Sequence, residues 1–483
     1  MKDRLARWTS VGIVAGTLVL VASVGPELVR AGSSEPQDGL DRLRTRLGSF
    51  TPTGRGVSVL QVEAGGEGPG EWTLGALEGF RELSIEPVGP RSAPAGHAAM
   101  VAQAMLSLAP GIERIYTGSS RWFLVEVLQA MQAAPPRPLP PGASIVMCAW
   151  VGSAAAGDVD ALRRIDFMVN QAPFTLVAGM KPGSQLMGSA YNGISVGGAG
   201  ASAGQGTSKD LDGPGRCKPD LVTGEGAASP ATGRVAGGVA LLLDAAGRLP
   251  RLRKVQDSRR PEVLKAALLA GAVRERGWTN LSSPPDPPPA PPAGAPAGVA
   301  PAATEPALPP VRSTSQPLDR AVGAGRMDVA RAFEVFGAGS QAWSDPDASL
   351  APSGWTMLSW RGSDGAERRE ESALLRLEQD AGEVAVVACW NRVVVDAQTW
   401  TLADVDLRIE RVDGGGTLEW ASSGNPVSES RVDNVEMILL RDVRAGDYRI
   451  VATLRDGAPS AVAVAWLVSG PSARRVEPSS PGG

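Results

Sequence analysis

The regular pattern of the chain begins at Val57. Val57, Val59 and Val62 with Leu60 form a short, largely β-branched run bounded by Gly56 on one side and by Gly65, Gly66 and Gly68 on the other, which predicts a buried strand. Apolar runs of the same kind recur at 112–116, 144–150, 175–178, 193–196 and 220–222. Between several of them lie stretches with helical spacing, at 98–108, 122–131, 160–170 and 230–246. Short apolar strands alternating with helices predict a parallel sheet covered on both faces, an α/β arrangement. Two further helices are expected over 261–273 and 327–336, whereas 32–53 is polar and loosely helical at most.

From Trp355 onward the pattern changes to short alternating strands. Val405, Leu407 and Ile409 alternate with Asp404, Asp406, Arg408 and Glu410, and the run stops at the turn-forming Asp413-Gly414-Gly415. Runs at 448–454 and 461–468 are separated by Asp456-Gly457. Half-buried antiparallel strands of this kind predict an all-β sandwich. Between the two textures, residues 284–310 hold 12 prolines interspersed with Ala and Gly, a composition that builds no core and extends as a spacer. The helix expected after it has no other obvious core to join, so the spacer reads as an insertion. The expected organisation is an N-terminal export segment over 1–31, an α/β domain over 54–338 interrupted by the spacer at 282–316, and a β-sandwich over 345–470.

The export segment is read from charge. Lys2, Arg4 and Arg7 precede a stretch without charge from Trp8 to Pro26, with small residues near a cut after Ala31. The uncharged stretch is also about the ~20 residues that a spanning helix needs, so an uncleaved anchor is the structural alternative. Either way the rest of the chain is expected outside the cytoplasm: secreted, periplasmic, or anchored to a membrane and facing outward. A net charge of −4 over 483 residues provides no large basic field, so nucleic acid is not an expected partner. Cys148, Cys217 and Cys389 are widely spaced, form no Cys-x-x-Cys pair, and read as buried thiols. Asp404, Asp406, Asp433, Asn434 and Glu436 are oxygen donors of the kind calcium takes, but alternation puts Asp404 and Asp406 on a solvated strand face; no metal and no cofactor is expected.

The chain contains a single histidine, so histidine-dependent chemistry passes through His97. His97 opens an almost wholly apolar helix, and Ser229 opens another, followed by Pro230 in the manner of an ordinary N-cap with proline at the first helical position. Glu63 ends the first strand. Each has a structural explanation by itself. Together, a carboxylate, a histidine and a serine in this order would meet at one edge of a parallel sheet, where open α/β folds place their sites.

These segments resemble the subtilase family of serine proteases. Gly56-Val57-Ser58-Val59-Leu60-Gln61-Val62-Glu63 looks like its first strand ending in the triad acid, and His97-Ala98-Ala99-Met100-Val101-Ala102 matches its histidine helix. Ala109-Pro110-Gly111 is similar to the turn that follows there, and Lys218-Pro219-Asp220-Leu221-Val222 to its Lys-Pro-Asp-Ile-Val strand. Ser229-Pro230-Ala231-Thr232-Gly233-Arg234-Val235-Ala236-Gly237 falls on its serine helix, and Gly323-Ala324-Gly325-Arg326-Met327 on the segment that starts its last helix. The resemblance covers about 56–336 with the spacer as an insertion, and the sandwich is similar to small β domains that trail many secreted bacterial peptidases. It implies a serine endopeptidase acting on polypeptides, with Ser229 as nucleophile, His97 as base and Glu63 as the acid.

The sequence departs from the family pattern at several points. Glu63 stands where the family usually has Asp, Ala227-Ala228 replaces Gly-Thr before the serine, and the segment 178–183 has no Asn to hold the oxyanion. Lys181 or Met180 takes that position, depending on the alignment. Loss of an oxyanion donor costs roughly 3 kcal/mol. The strand end at Trp150 and Gly152 could pair with an extended substrate, the alternative for Trp150 being a place in the buried core. The stretch 31–55 is too short for a folded pro-domain, so activation by removal of a large chaperone segment is not expected. The alternative is a pseudoprotease, the same fold kept as an exported binding or scaffold protein with the sandwich as its contact module. The partner of the sandwich is not indicated by the sequence.

Overall fold

The computed structural model describes residues 38–64, 71–90, 92–128, 138–152, 158–172, 174–180, 186–199, 212, 215–275, 277–280, 313–343, 348–360, 369–396, 399–412, 421, 423–458 and 461–470. The export segment and most of the proline spacer lie outside them. Among the described residues no helix is long and apolar enough to cross a membrane.

A parallel sheet forms the first half. Helix α1, Leu40–Leu47, precedes strands β1, Ser58–Glu63, and β2, Ser84–Pro87. Helix α2, Gly96–Leu108, leads to β3, Arg114–Ser119, and β4, Ala143–Cys148. Helix α3, Asp158–Gln171, leads to β5, Thr175–Gly179, β6, Gly193–Gly197, and β7, Leu221–Val222. Helices α4, Ala228–Arg248, and α5, Pro261–Gly271, come next. The strands order as β2-β3-β1-β4-β5-β6-β7, and every neighbouring pair is parallel. Odd and even positions of β1 feed different cores. Val57 and Val59 pack with α2 and α4, while Leu60 and Val62 pack with α3 on the opposite face. This double burial is why the strands read as continuous apolar runs.

In this part of the chain strand β2 is not foreseen by the apolar pattern, and two helical segments also differ from the sequence expectation. The segment 32–53 contains α1, whose Leu40 and Leu43 are buried and whose Arg42 pairs with Asp328. The helix expected over 122–131 starts as a turn, Ser120–Trp122, and continues as a wide-turned π-helix, Phe123–Leu128, its remainder lying outside the described residues.

The all-β part carries two stacked sheets. Strand β8, Ser313–Thr314, belongs to the stretch assigned by sequence to the spacer. Helix α6 is Val329–Ala338, and β9 is Ser349–Leu350. Then follow β10, Ser353–Leu358, β11, Glu370–Leu377, β12, Ala381–Trp390, and β13, Asp404–Arg411. The chain continues with β14, Ser423–Asn425, β15, Val427–Ser428, β16, Val435–Val443, β17, Gly446–Asp456, and β18, Val462–Ser469. One sheet orders as β8-β15-β13-β17-β11-β9 and the other as β10-β18-β12-β16-β14.

The second sheet is not half-buried. Val384, Val386, Ile438 and Trp466 face the other sheet, while Ala385, Val387, Met437 and Ala465 join the core built on α4, α5 and α6. The Trp355 ring stacks on Phe336 of α6 at 6.3 Å, and its Nε1 donates to Phe336 O at 3.1 Å.

Polar groups complete this junction. Arg392, fully buried, is held by Asp166 of α3 at 2.6 Å and by Asp212. Tyr191 lies between two guanidinium groups, with Arg216 at 3.8 Å and Arg392 at 4.4 Å from its ring centre. Asn434 Nδ2 donates to Tyr191 O and Trp390 O at 2.8 and 2.6 Å. Opposite charges and aromatic faces satisfy one another here where water is excluded.

Candidate active site

The site is assembled from the C-terminal edge of the parallel sheet and two helix starts. β1 delivers Glu63 at its end, one strand away from the end of β4, after which comes Ala149. His97 is the second residue of α2, and Ser229 the second of α4. The two helices run side by side at very short range. A Cβ at Gly233 would stand 2.4 Å from Val101 O, and one at Gly237 would stand 2.6 Å from Met105 O. Only glycine permits this approach. It also sets a parallel register, with 233 opposite 101 and 237 opposite 105. Continued one turn toward the helix starts, the same register sets 229 opposite 97.

Glu63 is almost fully buried and its Oε2 lies 2.7 Å from His97 Nδ1. A carboxylate at that nitrogen makes Nδ1 the protonated position and leaves Nε2 as the acceptor. Burial lowers the imidazole pKa, but the hydrogen bond and charge of Glu63 outweigh it and raise the value above the ordinary 6.5. The other carboxylate oxygen, Oε1, accepts from Gln61 Nε2 at 2.7 Å, and the same amide donates to Ala98 O at 2.9 Å. Gln61 is not a residue that the motif order singles out, although a lone amide inside an apolar strand is a signal that could have marked it.

Ser229 is half-buried, and its hydroxyl donates to Ala149 O at 2.8 Å. The hydroxyl proton is therefore directed to Ala149 O and not to His97, the base that the resemblance implies. A serine hydroxyl swings about one side-chain bond, and at this helix start a free carbonyl of the neighbouring strand end is within its reach. The Ser229 amide belongs to the first turn of α4, whose N–H groups have no acceptor within the helix.

The remaining expected site residues divide. Lys181 lies outside the described residues. Trp150 is buried in the core against α3, and its Nε1 has no partner among the described residues. Gly152 is half-buried and forms an antiparallel bridge with Leu186, whose N–H donates to Gly152 O at 3.1 Å. That edge is thus already paired within the chain on one side. All three cysteines are buried free thiols, and burial pushes their pKa values up, that of Cys389 to about 12.

Of the oxygen donors considered for calcium, Asp406, Asp433 and Glu436 accept from protein groups, whereas Asp404 Oδ1 is buried with no hydrogen-bond partner among the described residues. Asp433 accepts from Cys217 N at 2.9 Å and Ser430 Oγ at 3.0 Å, and Glu436 accepts from Ser428 and Ser430. Asp406 is not on a solvated face as alternation suggests; it is buried at 8% exposure because Arg455 of β17 folds over it. Among the described residues no group of three or more His, Cys, Asp or Glu gathers as a metal site would.

Beyond the catalytic candidates, a buried charge cluster braces the strand that leads to Ser229. Asp220 accepts from Lys218 and Lys265, each at 3.0 Å, and from Ser195 N at 2.7 Å. Burial opposes its charge, but the two ammonium groups and the amide overcome it and hold the Asp220 carboxyl at about 2.

No family model matches the sequence, and a comparison with curated proteins finds no match either. Solved structures similar to the chain include a serine protease of Aeromonas sobria, at 13% identity over 86% of this chain and 88% of that one, with a TM-score of 0.34. MycP1 from Mycobacterium smegmatis is similar at 15% identity over 65% of this chain and 88% of its own, with a TM-score of 0.34. A lanthipeptide protease is similar at 14% identity over 62% of this chain and 93% of its own, with a TM-score of 0.37. Overlaps of this size assign no activity to the chain.

Proposed function

We propose that this protein is an exported, subtilisin-like serine endopeptidase that cleaves peptide bonds through an acyl-enzyme. The observation that carries the reading is the buried Glu63 bonded to Nδ1 of the chain's one histidine, on a helix whose register with α4 brings position 229 opposite position 97. Ser229 turns its hydroxyl from Ala149 O toward Nε2 of His97 and attacks the substrate carbonyl as the imidazole takes its proton. Glu63 holds the ring tautomer and stabilises the imidazolium. The Ser229 amide, at a helix start, donates to the developing oxyanion, and Lys181 is the proposed second group there. Collapse of the tetrahedral intermediate returns the proton from His97 to the leaving amine, and water then repeats the cycle on the ester. Export rests on the charge pattern of residues 1–31.

The alternative is a fold kept without catalysis, in which the Ser229 hydroxyl stays on Ala149 O. A fluorophosphonate probe separates the two. We expect covalent labelling of the wild type that disappears in Ser229→Ala and in His97→Gln. A folded wild type that takes no label at Ser229 would overturn the peptidase reading and leave the pseudoprotease.

A further inference from the structure

Gln61 sits in the central part of β1, between Thr117 of β3 and Met147 of β4, and is fully buried. It shares its face with Val57 and Val59, which pack into the apolar core under α2 and α4. An aliphatic residue would suit that face better, since the Gln61 carbonyl oxygen has no hydrogen-bond partner among the described residues. An unmade hydrogen bond in a core is a standing cost. What the amide does in return is specific. Its Nε2 meets two oxygens, Glu63 Oε1 at 2.7 Å and Ala98 O at 2.9 Å. Both are acceptors, so the amide has one workable orientation, nitrogen toward the carboxylate.

We infer that Gln61 is a positioning residue of the site: its amide holds the Glu63 carboxylate turned toward Nδ1 of His97 and ties it to the first turn of the helix that carries His97. Glutamate has one more rotatable bond than aspartate, so a carboxylate on this longer arm needs a second contact to keep one oxygen on the imidazole. Gln61 supplies that contact from two residues earlier on the same strand face. Because the same nitrogen bonds Ala98 O, the next residue after His97, carboxylate and imidazole are referenced to a single donor. The catalytic consequence rests on the peptidase reading above. The geometry of the Glu63–His97 pair does not.

The test uses the full chain and two shape-compatible variants without a donor, Gln61→Met and, should that one fail to fold, Gln61→Leu. Two quantities are measured: peptide turnover, and the titration midpoint of the imidazole by NMR, in which the single histidine gives one unambiguous signal. Loss of alignment at the reacting groups is expected to lower kcat by about 10- to 100-fold with KM within about twofold. The His97 midpoint is expected to fall, because burial lowers it and the oriented Glu63 is what raises it. A folded variant with wild-type kcat and a wild-type His97 midpoint would overturn the role, since a merely structural amide would change the melting temperature alone. A wild type that neither cleaves peptides nor takes the probe would overturn the peptidase reading, and the His97 midpoint would still decide the role of Gln61.

Discussion

His97 is the residue at which protonation, stability and chemistry meet. Its side chain is 41% exposed while its partner Glu63 is 1% exposed, so the ring is open to solvent and the carboxylate is not. The raised imidazole pKa has two consequences of opposite sense. Catalysis needs the neutral ring, so the base limb of kcat/KM is expected to rise with pH through a midpoint above 6.5. Stability follows the charged ring. The folded value lies above the unfolded one, so the ion pair contributes fully below 6.5 and its contribution is lost as pH rises through the folded pKa. Melting temperatures measured from acid to neutral pH for the wild type and for Glu63→Gln are expected to converge as pH rises. A constant difference between them across that window would contradict the pairing.

At the scale of elements, the contact between α2 and α4 decides where Ser229 stands relative to His97. The helices approach so closely that backbone oxygens of one occupy the space of side chains on the other, and Gly233 and Gly237 make this feasible. The sequence Gly233-Arg234-Val235-Ala236-Gly237 therefore does more than fill a helix of small residues. Gly233→Ala is expected to push α4 away from α2, costing about 1–3 kcal/mol of stability as overpacking does. It should also lower turnover more than the loss of stability accounts for, because the same displacement separates Ser229 from His97. Denaturant melts and kinetics on one preparation check both. A variant with normal kcat and lowered stability would mean that the helix starts are positioned by something other than this contact.

At the scale of the whole molecule, the β-sandwich shares a continuous core with the helices of the α/β part. β12, β16 and β18 place one face on the sandwich interior and the other on α5 and α6. Arg392, Tyr191 and Asn434 lock the polar side of the junction, with Arg392 reaching Asp166 and Asp212 from the second unit into the first. Breaking a buried pair of this kind by removing one partner costs about 3–5 kcal/mol. A chain ended after residue 338 would uncover the apolar faces of α5 and α6 and leave Asp166 unpaired. It is expected to aggregate or to lack a cooperative thermal transition by calorimetry. A sharp transition together with probe labelling of that truncated chain would show the sandwich to be dispensable.

Six of the seven strands of the parallel sheet, all but the edge strand β2, were legible in the sequence, as was the element end at which each of Glu63, His97 and Ser229 stands. Those features are local: a β-branched run between glycines, an apolar helix opened by a polar residue, a proline after a serine. Periodicity also made the alternating strand β13 legible, because that strand has one face on the core and one more open to solvent. It gave no alternation at β12 and β16, where both faces are buried and the side chains report no inside or outside. Tertiary structure alone decided what depends on segments far apart in the chain. Ser313 and Thr314 become a strand because Val427 and Ser428 lie alongside them. Asp406 is buried because Arg455 covers it, and the Ser229 hydroxyl turns to Ala149 because that carbonyl ends the strand beside it. Gln61 acquires its task only when β1 and α2 are packed together, since a donor's role is set by the acceptors that the fold brings within reach of it.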